Sequence, residues 1–255
     1  MARVYALANQ KGGVGKTTTA VSLCAYLASV GKRILLVDID PQANATSSLG
    51  IDKNALAHSV YDVLVSARVG SSTTVVTSQR GLDLLPSSPA LAGADIELVE
   101  MTGREAKLKQ VLKPLRDHYD FILIDTPPSM GLLTVNALVA ADGVIIPVQC
   151  EYLPLEGLTQ LLQTIELIRR NLNPQLIIRG ILMTMYDPRT NLAREVVQEV
   201  RRHFPQKTFQ AIIPRSVKLS EAPSYGEPIG RYAPDSSGAQ AYNAFGQEFL
   251  ATETG

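Results

Sequence analysis

The segment that decides the fold reads Lys11-Gly12-Gly13-Val14-Gly15-Lys16-Thr17-Thr18. It follows a short apolar run and precedes a stretch with helical periodicity, which is the context of a phosphate-binding loop. Glycines let backbone N–H groups turn inward around an anion, and the N-terminus of the next helix adds partial positive charge. Lys16 can then reach the β- and γ-phosphates, and the Thr17 hydroxyl can bind Mg²⁺. The segment therefore predicts a site for ATP with Mg²⁺, formed by the loop backbone, Lys16, Thr17 and Thr18.

Outward from this loop, short apolar runs alternate with longer stretches of helical periodicity. The predicted strands cover residues 3–8, 34–37, 82–85, 121–124, 144–148, 177–183 and 209–213, and the predicted helices cover residues 16–30, 94–118, 132–140, 155–171, 190–203 and 238–250. Continuous apolar runs are typical of parallel strands with helices above and below. We therefore expect an α/β fold with a doubly wound, mostly parallel sheet flanked by helices. Its ligands should bind outside the carboxyl ends of the strands.

Composition narrows the class of protein. No internal repeat and no linker rich in Pro, Gly and Ser divides the 255 residues, so we expect a single P-loop ATPase domain over residues 1–255. Lys and Arg total 24, as do Asp and Glu, so the formal net charge is zero. A surface that is basic throughout is therefore not expected, although a local basic patch is still possible. Two cysteines, Cys24 and Cys150, are too few for a disulfide or metal framework. With no leader pattern and no uninterrupted apolar stretch of about 20 residues, we expect a soluble cytoplasmic protein.

Acidic residues follow two of the predicted strands. Asp38 and Asp40 stand at alternate positions at the end of one strand, which would point both carboxylates toward the nucleotide side. Asp125 ends another apolar run in a Walker B pattern. It would hold Mg²⁺ through water, because Mg²⁺ gives up its hydration shell reluctantly. A turn or helix-capping role for Asp40 stays open.

The phosphate loop departs from the ordinary pattern G-x-x-x-x-G-K-[ST]. Position 10 is Gln10 instead of glycine, and a second lysine, Lys11, stands at the loop entrance. This arrangement resembles the deviant Walker A family of ParA, MinD and nitrogenase iron protein relatives. The resemblance covers nearly the whole chain and is greatest to the chromosomal ParA, or Soj, group. The segments that carry it beyond the loop are 38–42, 44–46, 147–152, 155–158, 184–187, 189–191, 213–215 and 219–224.

The resemblance implies catalytic roles. Lys11 would cross the interface of a homodimer to the ATP of the partner, where it would act like an arginine finger during phosphoryl transfer. Lys16 would bind the phosphates in its own subunit. Asp40 would orient the attacking water, and Asp38 would support the metal and the nearby switch. The closed site would then exist only in the ATP-bound dimer, so turnover by the isolated protein should be slow.

The resemblance also implies which residues would contact the adenine base, the nucleotide of the partner subunit and DNA. Pro214 and Arg215 would lie beside the adenine, and Glu151 would face the nucleotide of the partner. Arg189 and Lys218 would bind double-stranded DNA, although scattered cations alone equally suit a solvated face. Phosphate contacts carry no sequence information, so binding should be nonspecific and salt-sensitive. A ParB/Spo0J-like protein would stimulate hydrolysis and release the dimer from the nucleoid.

Other functions share parts of this pattern. A MinD-like membrane-cycling ATPase would end in a basic amphipathic helix, whereas residues 247–255 are acidic, so we expect no membrane partner. A protein of the nitrogenase iron protein type would share an iron–sulfur cluster through two cysteines per subunit, and Cys24 lies behind the loop. A ligase that activates a carboxylate with ATP would need a substrate pocket that the sequence does not locate. Because the phosphate loop begins at residue 11, we expect no N-terminal helix-turn-helix domain.

Overall fold

The fold was described from a computed structural model, which covers residues 1–66, 75–77, 79–151 and 154–253. Within these residues the strands are β1 Arg3–Leu7, β2 Ile34–Asp38, β3 Val75–Val76, β4 Leu82–Leu85, β5 Phe121–Asp125, β6 Gly143–Gln149, β7 Ile177–Tyr186 and β8 Thr208–Pro214. The helices are α1 Lys16–Ser29, α2 Asn44–Ser48, α3 Val60–Ser66, α4 Leu91–Val99, α5 Lys107–Leu112, α6 Leu132–Ala140, α7 Pro154–Asn171, α8 Asn191–His203, α9 Val217–Glu221, α10 Ile229–Tyr232 and α11 Ser237–Ala251.

The strands form one sheet in the order β3-β4-β2-β5-β1-β6-β7-β8. All neighbours run parallel except the edge strand β3, which is antiparallel to β4. This confirms the predicted doubly wound α/β class. The chain passes from β1 to β2 on one side and later fills the other side with β6, β7 and β8. The strand order therefore reverses at β1, the point where such sheets bind ligands.

Alternating side chains of each strand enter two apolar layers, one on each face of the sheet. In β1, Val4 and Ala6 join the layer that contains α3 to α8, whereas Tyr5 and Leu7 join the layer that contains α1 and α11. Both faces are covered by helices, which explains why the strands read as continuous apolar runs.

Three strands bring their carboxyl ends together beside the reversal point. β5 pairs with β1 and with β2, and in this register both Leu7 and Asp38 lie opposite Asp125. The glycine loop follows β1 directly and ends at Gly15, whose φ of 88° only glycine adopts without strain. Helix α1 then begins at Lys16. The topology thus places the loop, the end of β2 and the end of β5 side by side.

One predicted helix is wrong as a single element. The sequence pattern favoured a helix over residues 94–118, but the chain forms α4 and α5 with a break between them. Gly103 interrupts the helix with a φ of 67°, and Pro114 follows α5 in a short 3-10 turn, where it has no N–H to donate. The pattern also missed β3 and the short helices α2, α3, α9 and α10. None of these exceeds seven residues, which is too short to display a clear periodicity.

Candidate functional site

An open cleft of about 640 Å³ lies at the carboxyl edge of the sheet, above the ends of β1, β2 and β5. Its lining includes Gly12, Gly13, Lys16, Thr17 and Asp40. Gly13 and Gly15 have φ angles of 74° and 88°, so their N–H groups can turn into the cleft as the glycine pattern predicts. The structure therefore brings together the predicted phosphate loop and one of the predicted acids.

Lys16 is held inside the loop that it follows. Its side chain is buried, and its ammonium donates to the backbone oxygens of Asn9 at 3.0 Å and Lys11 at 3.3 Å. Burial lowers the pKa of Lys16, while the charges of Asp125 and Asp40 oppose that shift. A buried cation bound only to carbonyl oxygens retains a strong demand for an anionic partner. A phosphate in the cleft would supply that partner.

Asn9 fastens the loop and was missed in the sequence. Its amide nitrogen donates to the backbone oxygen of Pro147 at 2.7 Å, and its amide oxygen accepts from the backbone N–H of Lys11 at 3.0 Å. The residue therefore joins the loop to β6, the neighbour of β1. Nothing in the local sequence distinguishes this asparagine from an ordinary turn residue, because its partner Pro147 lies far along the chain.

Lys11 differs sharply from Lys16. Its side chain is exposed at the mouth of the loop. Within the described ranges, no carboxylate lies within ion-pair distance of its ammonium. The two lysines of one loop thus point to different surroundings, one enclosed by its own subunit and the other open to solvent.

Asp125 is buried against Thr17, a residue that lines the cleft. The Thr17 hydroxyl donates to Oδ2 of Asp125 at 2.7 Å, and Oδ1 is a buried oxygen without a hydrogen-bond partner in the described part of the chain. Burial raises the pKa of Asp125, and the nearby Asp38 carboxylate raises it further. A buried carboxylate oxygen without a donor, next to a threonine hydroxyl, suits a hydrated divalent cation. The donor set therefore fits Mg²⁺.

The two acids after β2 do not point the same way, contrary to the expectation from their spacing. Asp40 lines the cleft, and its Oδ1 accepts from the backbone N–H of Gln42 at 2.9 Å. Asp38 is fully buried behind it, where its Oδ2 accepts from the backbone N–H and the hydroxyl of Thr46 at 2.9 and 2.7 Å. Burial raises the pKa of Asp38 to about 6, although these hydrogen bonds oppose the shift. The chain leaves the strand between the two positions, so strand alternation no longer applies.

A second cavity of about 630 Å³ adjoins the phosphate cleft. Both are lined by Gly15, Thr18 and Met185, so they form one continuous groove. Pro214 and Arg215, which the resemblance implies would lie beside the adenine, line the second cavity. The groove therefore runs from the cationic, glycine-rich phosphate loop to the cavity lined by Pro214 and Arg215.

Met185 stands at the junction of the two cavities and has a φ of 53°, a left-handed conformation that is unusual for a residue with a long side chain. The preceding Thr184 donates its hydroxyl to the backbone oxygen of Val14 at 2.8 Å, which ties β7 to the phosphate loop. Strained backbone of this kind clusters at ligand sites. The apolar pattern gave no signal for it, because the backbone conformation of one residue leaves no mark on hydrophobic periodicity.

The other predicted residues lie on the surface near this groove, each paired with a neighbour of opposite charge. Arg215 donates to Glu151 at 2.6 Å at the rim of the second cavity. Arg189 makes two bonds to the Asp187 carboxylate, at 2.9 and 2.7 Å. The remaining cation, Lys218, pairs with Glu221 at 2.9 Å and lies 5.6 Å from the ring centroid of Tyr232. The predicted DNA contacts are therefore exposed but carry intramolecular counterions.

Both cysteines are buried, and they lie in opposite layers. Cys24 belongs to the layer of α1, and Cys150 to the layer of α3 to α8. Burial raises the pKa of Cys150 to about 12 and that of Cys24 well above its usual value. A cluster bridging two subunits through these thiols would require both to reach one surface, and neither does.

Comparison of the sequence with known proteins shows which proteins this chain is similar to. A family model described as an AAA domain matches residues 2–178. The sporulation initiation inhibitor protein Soj of Bacillus subtilis is 53% identical over 98% of this chain and 99% of its own length. The chromosome partitioning protein ParA of Myxococcus xanthus is 50% identical over 99% of this chain and 89% of its own length.

A solved structure of a similar chain contains a bound nucleotide and magnesium. A crystal structure described as cobyrinic acid a,c-diamide synthase from Mycobacterium smegmatis, with bound ADP and magnesium, is 41% identical. It has a TM-score of 0.88 and covers 100% of this chain and 96% of that one.

Over the described residues, no helix has the length and apolar character needed to cross a bilayer.

Proposed function

This chain belongs to the family of Soj and ParA chromosome-partitioning ATPases, and we propose that it works as a nucleotide-controlled DNA clamp. As an ATPase of this family it uses ATP and Mg²⁺. We propose that ATP joins two copies into a dimer, that the dimer binds double-stranded DNA without sequence preference, and that hydrolysis releases it. A ParB-like protein is the proposed stimulating partner. The proposal takes residues 1–255 as one ATPase domain that acts at the nucleoid in the cytoplasm.

The observation that carries this proposal is the contrast between the two lysines of the phosphate loop. Lys16 is buried among the carbonyl oxygens of its own loop, so it serves the phosphates bound in its own subunit. The exposed Lys11 stands at the loop mouth with no carboxylate partner in the described ranges, as expected of a group that completes another subunit's site. An added positive charge favours phosphoryl transfer because negative charge develops on the transferred group.

Each residue of the cleft then has a proposed task. The backbone N–H groups of residues 12–15 and the Lys16 ammonium bind the phosphates. Thr17 and Asp125 would hold Mg²⁺, Asp125 through water at Oδ1, which has no hydrogen-bond partner within the described ranges. When bound, Mg²⁺ neutralises phosphate charge and orients the terminal phosphate. Asp40 holds the attacking water, because it is the acid that lines the cleft.

The base end of the groove and the subunit interface complete the proposed nucleotide site. Pro214 and Arg215 line the second cavity, which would receive the adenine. Glu151 lies at the same rim through its bond to Arg215, where a partner subunit could approach. Thr18 and Gly15 lie between the two cavities and would contact the middle of the nucleotide. Nucleotide binding would therefore prepare the surface on which the second subunit docks.

The DNA-binding part of the proposal is supported by two exposed cations near the groove, Arg189 and Lys218. Each is already paired with an acid in one subunit, which would keep DNA affinity low for the monomer. Two subunits side by side would double the number of such cations on one face. Binding through phosphate contacts alone should weaken steeply with salt.

A diamide synthase is the second candidate, because the similar Mycobacterium smegmatis structure carries that name. A synthase that takes its amide nitrogen from glutamine through a covalent intermediate needs an accessible thiolate. Cys24 and Cys150 are the only cysteines of the chain, and both are buried with raised pKa values. A synthase of that kind would need another nucleophile. The partition function is favoured for this reason and because the ParA relative of Myxococcus xanthus, which is 50% identical, is named a chromosome partitioning protein.

A membrane-cycling function finds less support. Helix α11 buries its large apolar side chains, Tyr242, Phe245 and Phe249, in the core layer of α1. Helices that lie on membranes present such side chains to the bilayer. The apolar face of α11 is therefore already used within the fold.

The direct test of the proposal is binding to a fluorescent DNA duplex of arbitrary sequence, measured with ATP, with ADP and with no nucleotide. Binding should require ATP, be independent of sequence and fall steeply with added salt. The variant Arg189→Glu should lose this binding while retaining ATP affinity, and Arg170→Glu is a matched control. Arg170 is also exposed and ion-paired but lies at the end of α7. Equal DNA binding in all three nucleotide states would contradict the proposal.

A further inference from the structure

A closed ring of hydrogen bonds surrounds the backbone of Asp40. The hydroxyl of Thr46 donates to Asp38 Oδ2 at 2.7 Å and accepts from the backbone N–H of Ser87 at 3.0 Å. The hydroxyl of Ser87 donates to the backbone oxygen of Asp40 at 2.7 Å, and the backbone N–H of Asp40 donates to Asp38 Oδ1 at 3.1 Å. These four residues, Asp38, Asp40, Thr46 and Ser87, form the buried ring.

The ring joins three separate parts of the chain. Asp38 ends β2, Thr46 lies in α2, and Ser87 follows β4, the neighbour of β2 in the sheet. Asp38, Thr46 and Ser87 are fully buried, so water does not compete for their hydrogen bonds. The turn between β2 and α2 passes through Ala43, a non-glycine residue with a φ of 52°. A turn with strained backbone persists only when surrounding contacts fix it.

We infer that Thr46 and Ser87 are positioning residues for ATP hydrolysis, which fix the backbone of Asp40 from both sides so that its carboxylate faces the cleft. The N–H of Asp40 is held by Asp38, and Thr46 links Asp38 to Ser87. The C=O of Asp40 accepts from the Ser87 hydroxyl at 2.7 Å and from the backbone N–H of Ala43 at 2.8 Å, so Ser87 ties this turn to the end of β4. The inference rests on the proposed role of Asp40 in orienting water. Neither hydroxyl lines the phosphate cleft, so each acts through Asp40 and not through contact with the nucleotide.

The geometry also separates hydrolysis from nucleotide affinity. Lys16, Thr17 and the loop glycines lie after β1 and make no hydrogen bond to Thr46 or Ser87 in the described ranges. Loosening the ring should therefore leave ATP binding nearly intact and slow the chemical step. A small misplacement of a water-orienting group is costly, with losses of up to about a hundredfold.

Two variants open the ring at different bonds. Thr46→Val keeps the shape of the side chain but removes the hydroxyl that bridges Asp38 and Ser87. Ser87→Ala removes only the bond to the Asp40 carbonyl and leaves the partners of Asp38 in place. Thr46→Ser restores the hydroxyl, and Ser48→Ala is a matched control. Ser48 is a buried serine of α2 whose hydroxyl donates to the backbone oxygen of Asn44, outside the ring.

The experiment combines kinetics with amide exchange. In Thr46→Val and Ser87→Ala, kcat for ATP should fall between about tenfold and a hundredfold with little change in KM, and Thr46→Ser should recover most of it. In the nucleotide-free protein, amide exchange at Asp40 and Thr46 should accelerate in both variants but not in Ser48→Ala. A thermal unfolding temperature close to that of the parent would show that a variant keeps its fold. If Thr46→Val does not fold, the kinetics and amide exchange of Ser87→Ala alone test the positioning role.

Different results would overturn different statements. Normal kcat and normal amide exchange in Ser87→Ala and Thr46→Val, alongside an inactive Asp40→Ala, would overturn the positioning role and leave the proposed role of Asp40 standing. An equal loss of kcat in Thr46→Val and in Thr46→Ser would overturn the positioning role as well. Normal hydrolysis by Asp40→Ala would overturn the role of Asp40 itself, and the positioning inference with it.

Discussion

The hydroxyl of Thr17 lies 2.7 Å from Oδ2 of Asp125, although 108 positions separate the two residues. The contact joins the first turn of α1 to the end of β5, and it leaves the other oxygen of Asp125 buried without a partner in the described ranges. A buried acceptor without a donor is costly, so the pair is arranged for a ligand. This is the geometric basis for placing Mg²⁺ at this point.

Replacing Thr17 by Val should remove the metal dependence of ATP binding. Affinity measured with Mg²⁺ should fall on the order of 10–100-fold, because one oxygen ligand is lost while the side-chain shape is kept. Affinity measured in EDTA should change little, and Thr17→Ser should behave like the parent. Isothermal titration with and without Mg²⁺ makes the comparison. A Thr17→Val protein that still gains from Mg²⁺ as the parent does would place the metal elsewhere.

Lys11→Ala and Lys16→Ala should fail in different ways. Lys16→Ala should lose nucleotide binding, because its buried ammonium lies within the loop. Lys11→Ala should bind ATP as the parent monomer does but lose hydrolysis on the order of a thousandfold, the magnitude typical of a charge supplied in trans. Nucleotide binding by equilibrium dialysis and phosphate release separate the two steps. Equal loss of ATP affinity in both variants would show that Lys11 serves its own subunit.

The Arg189–Asp187 pair should be detectable by titration. Hydrogen bonds from Arg189 lower the pKa of Asp187 to about 2 from its ordinary value of 3.8. The folded state then holds the proton less tightly than the unfolded state, so the pair stabilises the fold above about pH 4. That contribution disappears as the pH falls through about 2. Carboxyl NMR should give this low value in the parent and a higher one in Arg189→Gln, where the backbone N–H of residue 189 still donates to the carboxylate. An unshifted pKa in the parent would contradict the pair.

The same pair should restrain DNA binding. Asp187→Asn removes the intramolecular competitor for Arg189, so the ATP-bound protein should bind duplex DNA more tightly than the parent at low salt. Surface ion pairs contribute little, so the gain should be about tenfold at most. Asp120→Asn, which frees Arg33 at the opposite end of the strands, is the control. Weaker binding by Asp187→Asn would show that the carboxylate helps to hold Arg189 in its DNA-binding position.

Both thiols should be inert in the native protein. Burial raises the pKa of Cys150 to about 12 and raises that of Cys24 as well, so neither forms the reactive thiolate at pH 8. Ellman's reagent should therefore react slowly with the folded protein and should titrate two thiols after unfolding. Rapid reaction of one native thiol would remove the argument against glutamine-dependent amide synthesis.

The sequence predicted the elements whose signal is local. The pattern from Lys11 to Thr18 identified the phosphate loop, and the apolar runs predicted every strand except β3. The prediction from residue spacing was wrong where the chain turns. Asp38 and Asp40 were expected to point the same way, but Asp38 accepts from the buried Thr46 and Asp40 lines the cleft. Ser87 could not be predicted at all, since its partners lie 41 and 47 positions away. Contacts of this range depend on which strands become neighbours, and the pattern of one chain does not encode that order locally.

The central claim is that ATP controls pairing, and the variant Asp40→Ala tests it most directly because it should bind ATP without consuming it. Sedimentation equilibrium of this variant, saturated with Mg-ATP, should give twice the mass of the chain, and the same variant with ADP should give the mass of one chain. Adding Lys11→Ala to the variant should lower the fraction of dimer. A single-chain mass for Asp40→Ala at saturating Mg-ATP would contradict the account.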